Sequence, residues 1–148
     1  MSQKVKSILV GALVVFAIMQ LFQIDKTNPP ARQDEDFITI TKPPQKIEKI
    51  LRTACYDCHS HETAYPWYTS VAPISWWIRR HIDEGREHLD FSIWGQYDAD
   101  KKDHKLEECV EEVKSGEMPF NSYTWIHSEA KLSADQRREL ADWFASIR

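Results

Sequence analysis

Glycine is scarce in this chain, with 4 among 148 residues, and no Gly-rich fingerprint is formed. Loops that cradle phosphates through backbone N–H groups need such glycines, so the nucleotide-binding classes built on them are excluded. Basic charge is also short: 19 Lys and Arg stand against 23 Asp and Glu, a net −4 with a pI near 5.9. A nucleic-acid binder needs a basic face to neutralise phosphates, so no nucleic-acid partner is expected. Cysteine, at three residues, is too sparse for a disulfide scaffold. Apolar residues are not lacking. At 42% they suffice for a core, and the length suits one domain.

Acidic residues are missing from the first 24 positions, where Lys4 and Lys6 precede the apolar run Ile8–Phe22. A helix from Ser7 to Ile24 spans about 27 Å, close to the hydrocarbon thickness of a bilayer. It is apolar on every face, unlike a buried amphipathic helix. The run ends Gln20-Leu21-Phe22-Gln23-Ile24, without the small-residue site that cleavage wants. Residues 1–24 therefore read as an uncleaved signal-anchor, a transmembrane helix. Its lysines flank the N-terminal side, which keeps the N-terminus in the cytoplasm and exports the rest. The expected location is the bacterial cytoplasmic membrane, single-pass, with the folded part in the periplasm. That part holds 17 basic and 23 acidic residues, a net −6.

Residues 25–43 read as a linker, marked by Pro29, Pro30 and Pro43 and the acidic run Asp34-Glu35-Asp36. Within it Phe37–Ile40 suits a short extended stretch lying on the domain, which covers residues 44–148. There the apolar period turns helical. Ile47, Ile50, Leu51 and Ala54 form one stripe that leads into Cys55. A second helix is predicted from Pro73, with Ile74, Trp77, Ile78, His81 and Ile82 on one face. A third runs from about Leu106 through Cys109, Val110 and Val113 to a stop at Gly116. The last begins at Ser133, which with Gln136 makes a capping box, and carries Leu140, Trp143, Phe144 and Ile147. No stretch alternates as a strand over more than four residues. The predicted fold class is all-α.

Residues Cys55-Tyr56-Asp57-Cys58-His59 spell C-x-x-C-H, the pattern of covalent c-type haem attachment. Two thiols three apart on a helical turn reach the two vinyl groups on one side of a porphyrin as thioethers. The imidazole that follows falls beneath the iron as its proximal ligand. A thioredoxin-like redox pair wants a preceding strand and a βαβ context, which the pattern lacks. A zinc site drawing on Cys55, Cys58, His59 or His61 with a distant His81 lacks a second paired cluster. A plain disulfide stays open for an exported chain.

Met118, in Gly116-Glu117-Met118-Pro119, is the expected distal ligand, a soft thioether; His81, on an apolar helical face, is the alternative. His61 and His104 are expected to be exposed, His127 to bond locally, and Cys109 to act as a small buried hydrophobe. Trp67, Tyr68, Trp76, Trp77, Trp94, Tyr97, Tyr123 and Trp125 suit the walls of a cofactor pocket. Arg79, Arg80 and Arg86 suit propionates.

A helix ending in C-x-x-C-H, a variable middle, Met118-Pro119 and a terminal helix resemble, in that order, the class I cytochromes c. Ala54–Ser60, Pro66–Tyr68, Ala72–Trp77, His81–Arg86, Leu89–Ser92, Gly116–Pro119 and Tyr123–His127 more closely resemble the haem-binding domain family of bacterial envelope proteins, over roughly Pro44 to Arg148. The resemblance implies one covalent haem c with His59 proximal and, by analogy with class I cytochromes, Met118 distal. The expected role is a membrane-anchored electron-transfer haem protein rather than an enzyme, serving a redox partner protein in the envelope. A haem-based gas or redox sensor with an open or displaceable distal position, or a peroxidase-like module, is the alternative.

Overall fold

Side chains of Ser2, Asp36, Asp90, Asp98 and Ser133 cap helical segments in the computed structural model, which describes residues 2–148. Helix α1 (Gln3–Met19) stands clear of the rest of the chain and buries none of its residues. It is shorter than the expected transmembrane helix: 17 residues, about 26 Å long. No helix among the described residues is long and apolar enough to cross a membrane. The stop lies at Gln20. Its side-chain amide donates to the Phe16 carbonyl at 2.9 Å and to the Ala72 carbonyl at 3.1 Å, and its carbonyl oxygen accepts from the Ala72 N–H at 3.0 Å. The chain thereby leaves the helix and turns onto the domain.

The chain from the end of the expected anchor into the expected linker is laid along that domain. Long donors on the domain reach its open backbone carbonyls: the Trp76 indole donates to Phe22 and Arg79 to Asp25, each at 2.7 Å. Phe37–Ile40 is helical rather than extended. Helix α2 (Phe37–Thr41) forms because the Asp36 carboxylate accepts from the N–H groups of Ile38 and Thr39. Phe37 is 0% exposed, packed against Phe91, Trp94, Trp143 and Phe144. The core thus draws on residues upstream of position 44.

Helix α3 (Gln45–Ala54) buries the predicted stripe, Ile47, Ile50, Leu51 and Ala54, and α4 (Tyr56–His59) follows after one residue. Then come α5 (Ile74–His88), α6 (Ala99–Ser115), the short α7 (Asn121–Thr124) and α8 (Ala134–Ser146), with 3₁₀ turns at Trp67–Ser70, Phe91–Gln96 and Ser128–Ala130. No strand occurs among the described residues, so the class is all-α as predicted. The most extensive pairing is between α6 and α8. Leu106 and Val113 meet Leu140, Ala141 and Phe144 in the core shared with α3. Helix α8 starts on the predicted Ser133–Gln136 capping box. Helix α6 ends at Gly116, whose φ of +91° is the left-handed conformation that favours glycine.

Candidate functional site

Helix α4 carries the motif, and both residues between its cysteines are used to brace it. The Tyr56 hydroxyl donates to Asp36 at 3.0 Å, and its ring stacks on Phe91. Asp57 accepts from the Tyr123 hydroxyl at 2.7 Å and from the Ala64 N–H at 3.0 Å. Sequence reasoning assigned neither residue a task. The spacing marks only the ligating types, and the partners lie 20 and 66 residues away.

His59 is held by one nitrogen. Its Nδ1–H donates to the carbonyls of Gly85 and Leu89 at 2.9 and 3.0 Å, at the end of α5. Burial holds the imidazole below its ordinary value, against the opposing pull of those carbonyls. The ring is therefore neutral, its proton sits on Nδ1, and its Nε2 lone pair takes no hydrogen bond from the described residues. That is the state a metal-ligating histidine needs.

The thiols of Cys55 and Cys58 are free and half-buried. Burial pushes Cys55 up to about 12, with Cys58 adding to it, and Cys58 up to about 11, with Asp57 adding to it. Redox-active C-x-x-C pairs work through a depressed thiol, so these protonated thiols do not fit that chemistry. Nor do any three His, Cys, Asp or Glu side chains among the described residues converge as a metal site, so the zinc alternative finds no geometry. Cys109, packed against the core, is likewise raised by burial and is the small buried hydrophobe expected.

Cys58 opens onto a narrow cleft with a volume of about 80 Å³. One wall is the apolar face of α5. All five residues predicted to share that face, Ile74, Trp77, Ile78, His81 and Ile82, line the cleft, together with Phe120, Tyr123 and Ile126 from the opposite side. Of the five only Ile82 is buried by protein, so the face is apolar yet left uncovered. His81 donates from Nδ1 to the Trp77 carbonyl at 2.9 Å, which leaves its Nε2 without a partner. Met118 does not line the cleft. It sits half-buried on the adjoining loop, its carbonyl accepting from Arg137 at 2.6 Å and its N–H donating to Glu112 at 3.1 Å.

The predicted aromatic cluster is divided by the fold. Tyr68, Trp77 and Tyr123 line the cleft, Trp94 and Tyr97 belong to the core, and Trp67 and Trp125 are 79% and 82% exposed. The arginines are engaged by protein: Arg79 pairs with Asp83, Arg80 with Glu84, and Arg86 donates to Ser60, Asn28 and Thr63. His61 is not a free surface group. It is half-buried, with Nε2 2.8 Å from Asp90 and Nδ1 3.0 Å from the Pro30 carbonyl, because the docked linker covers it. His104 is exposed as expected. His127 bonds locally to Glu129, and also to Tyr68 across 59 residues.

A neutral, carbonyl-oriented imidazole with a free Nε2, two thiols within the same turn and an apolar cleft lined by Cys58, though not by Cys55 or His59, supply the residue types that hold a haem. The sequence profile of the haem-binding domain family matches residues 14–146. No curated protein and no solved structure matches the chain. By the extent of that match, the chain belongs to the haem-binding domain family and is a haem protein.

Proposed function

We propose that the chain carries one haem c, held by thioethers at Cys55 and Cys58 with His59 beneath the iron, and passes single electrons in the bacterial envelope. The observation that carries this reading is His59, whose Nδ1 is committed to two carbonyls while Nε2 is free. Haem, when bound, supplies a one-electron iron couple. The chain's own residues attach it, orient the imidazole through Gly85 and Leu89, and exclude water with the apolar side chains of α5, Phe120 and Ile126. Met118 is the distal ligand that the class I order of motifs supports. Helix α1 serves as a membrane tether: its side chains Ile8, Leu9, Leu13 and Val15 are exposed, an apolar surface that the rest of the chain does not cover. The partner is then a redox protein of the same compartment.

A second reading, a sensor or peroxidase-like module, is favoured by one observation. His81 lines the cleft and Met118 does not, so the side chain facing it is an imidazole rather than the thioether of an electron carrier. The deciding experiment is an absorption spectrum, oxidised and reduced, of the full chain produced with c-haem maturation, followed by a denaturing gel. Haem retained on the denatured chain with a low-spin spectrum supports the carrier. A high-spin spectrum altered by CO moves the reading to sensing or catalysis. Haem that leaves the denatured chain refutes covalent attachment.

A further inference from the structure

The apolar surface that the domain leaves bare is not spread evenly over it. Among the described residues beyond Phe22, every exposed large apolar side chain except Ile40 lies at the cleft or next to it. Ile74, Trp77, Phe120 and Ile126 line the walls. Trp67, Trp76 and Trp125 do not line the cleft, yet each adjoins in sequence a residue that does: Tyr68, Trp77 and Ile126. Whatever the cleft holds, these three indoles are not accounted for by it. Single exposed apolar residues are ordinary on a protein surface, but a gathered set marks a face that something covers.

The end of α1 is fixed to the same part of the fold. Gln20 bonds both backbone groups of Ala72, the Trp76 indole N–H donates to the Phe22 carbonyl, and Arg79 donates to the Asp25 carbonyl. Lys26 donates to the Ser70 hydroxyl, at the end of the Trp67–Ser70 turn. The Tyr68 hydroxyl of that turn meets Nε2 of His127, two residues after Trp125, at 2.5 Å. The chain from Gln20 to Lys26 is thus bonded along the segment that carries Trp67, Trp76 and Trp77. A free chain over residues 25–43 would let the domain range about 25 Å from the helix end. Bonded in this way, the chain gives it no such reach. Charge does not mark this face: Arg79 pairs with Asp83 and Arg80 with Glu84, and the chain after residue 24 is net −6.

We propose that the face around the cleft mouth rests on the lipid surface from which α1 emerges, with Trp67, Trp76 and Trp125 in the headgroup layer. The inference rests on the reading of α1 as a membrane tether. Indoles suit that layer, because an apolar ring and a polar N–H meet hydrocarbon and water at one boundary. The helix end fixes which surface is meant: Leu21 and Phe22 close the apolar run and are exposed, and Trp76 is bonded to the Phe22 carbonyl. The contact is apolar rather than ionic, so zwitterionic lipid suffices for it.

The test is photo-crosslinking of the full chain, produced with c-haem maturation, in phosphatidylcholine vesicles that contain a lipid with a diazirine near its headgroup. Labelled sites are found by mass spectrometry. Peptides that hold Trp67, Trp76 and Trp125 should label several-fold above a peptide of α6, alongside α1. High salt should leave this pattern unchanged, as an apolar contact requires. Combining W67E with W125E, two exposed positions, should cut the labelling at Trp76 several-fold while α1 labels as before. Labelling of α1 alone overturns the proposal and leaves the face to a protein partner. A pattern that salt erases, or one that the double variant does not change, overturns it too. Absence of label from α1 overturns the tether reading together with this one.

Discussion

Gly85 of α5 lies where any side chain would strike the backbone of Cys58: a Cβ there would stand 2.8 Å from the Cys58 carbonyl oxygen and 3.3 Å from its carbonyl carbon. The same residue's carbonyl takes the proton of His59 Nδ1. A single helical position thus sets both how closely α5 approaches the motif and how the imidazole is oriented.

Gly85→Ala weighs two effects. Alanine gains about 1 kcal/mol of helix propensity. Forcing a methyl group against fixed backbone costs about 1–3 kcal/mol. A net loss of up to about 2 kcal/mol is expected in a denaturant titration, with a disturbed haem spectrum. A more stable variant with an unchanged spectrum would show that α5 can shift freely.

Arg86 ties the docked linker to the motif. Its guanidinium donates to the Ser60 carbonyl at 2.8 Å, to Asn28 at 3.0 Å and to Thr63 at 2.9 Å. Arg86→Ala leaves a half-buried carbonyl unmet, and a loss of about 2 kcal/mol is expected. Limited proteolysis should cut residues 23–35 sooner in this variant, and cutting at the wild-type rate would mean that the contacts do not hold the linker.

The sixth ligand is decided by two substitutions. With Met118 on the iron, Met118→Ala converts the low-spin spectrum to high-spin and lowers the potential, while His81→Ala changes neither. The opposite pattern assigns His81. If neither variant moves the spectrum, both assignments fail.

Acid sensitivity follows from His59. Burial lowers its folded-state value, whereas in the unfolded chain it keeps the ordinary value near 6.5. Above that pH both states are neutral and no penalty arises. As pH falls below it, the unfolded chain takes up a proton that the folded chain refuses. The haem-free chain should therefore lose stability on acidification by up to about 1.4 kcal/mol per pH unit. His59→Asn should flatten this part of the profile, and parallel profiles for the two proteins would contradict it.

What could be read in the sequence was what is local. The α3 stripe, the Ser133–Gln136 capping box and the Gly116 stop each depend on residues within a turn or two, and all three appear. The start of α6 was placed late, at Leu106, because Ala99–Lys105 is polar and shows no apolar period; Asp98 begins the helix by accepting from the Lys101 N–H at 2.8 Å. What escaped is long-range. Nothing near Phe37 announces that it fills the core, and nothing near Gln20 announces its bond to Ala72. The apolar face of α5 was legible, but not that it turns to an open cleft rather than to protein. Periodicity tells which residues share a face and is silent on what covers it.

Tyr56 is tied to Asp36, and Asp57 to Tyr123 and Ala64, so both free positions of the motif are anchored to separate parts of the chain. If the proposed haem changes oxidation state, charge alters beside groups that these bonds already hold. Fixed dipoles that need not move when charge changes keep the reorganisation cost small. In the proposed electron carrier a low reorganisation cost would favour rapid, reversible exchange of electrons over steps that must remodel a ligand shell, and Tyr56 and Asp57, the two residues that the motif leaves unspecified, would contribute to it.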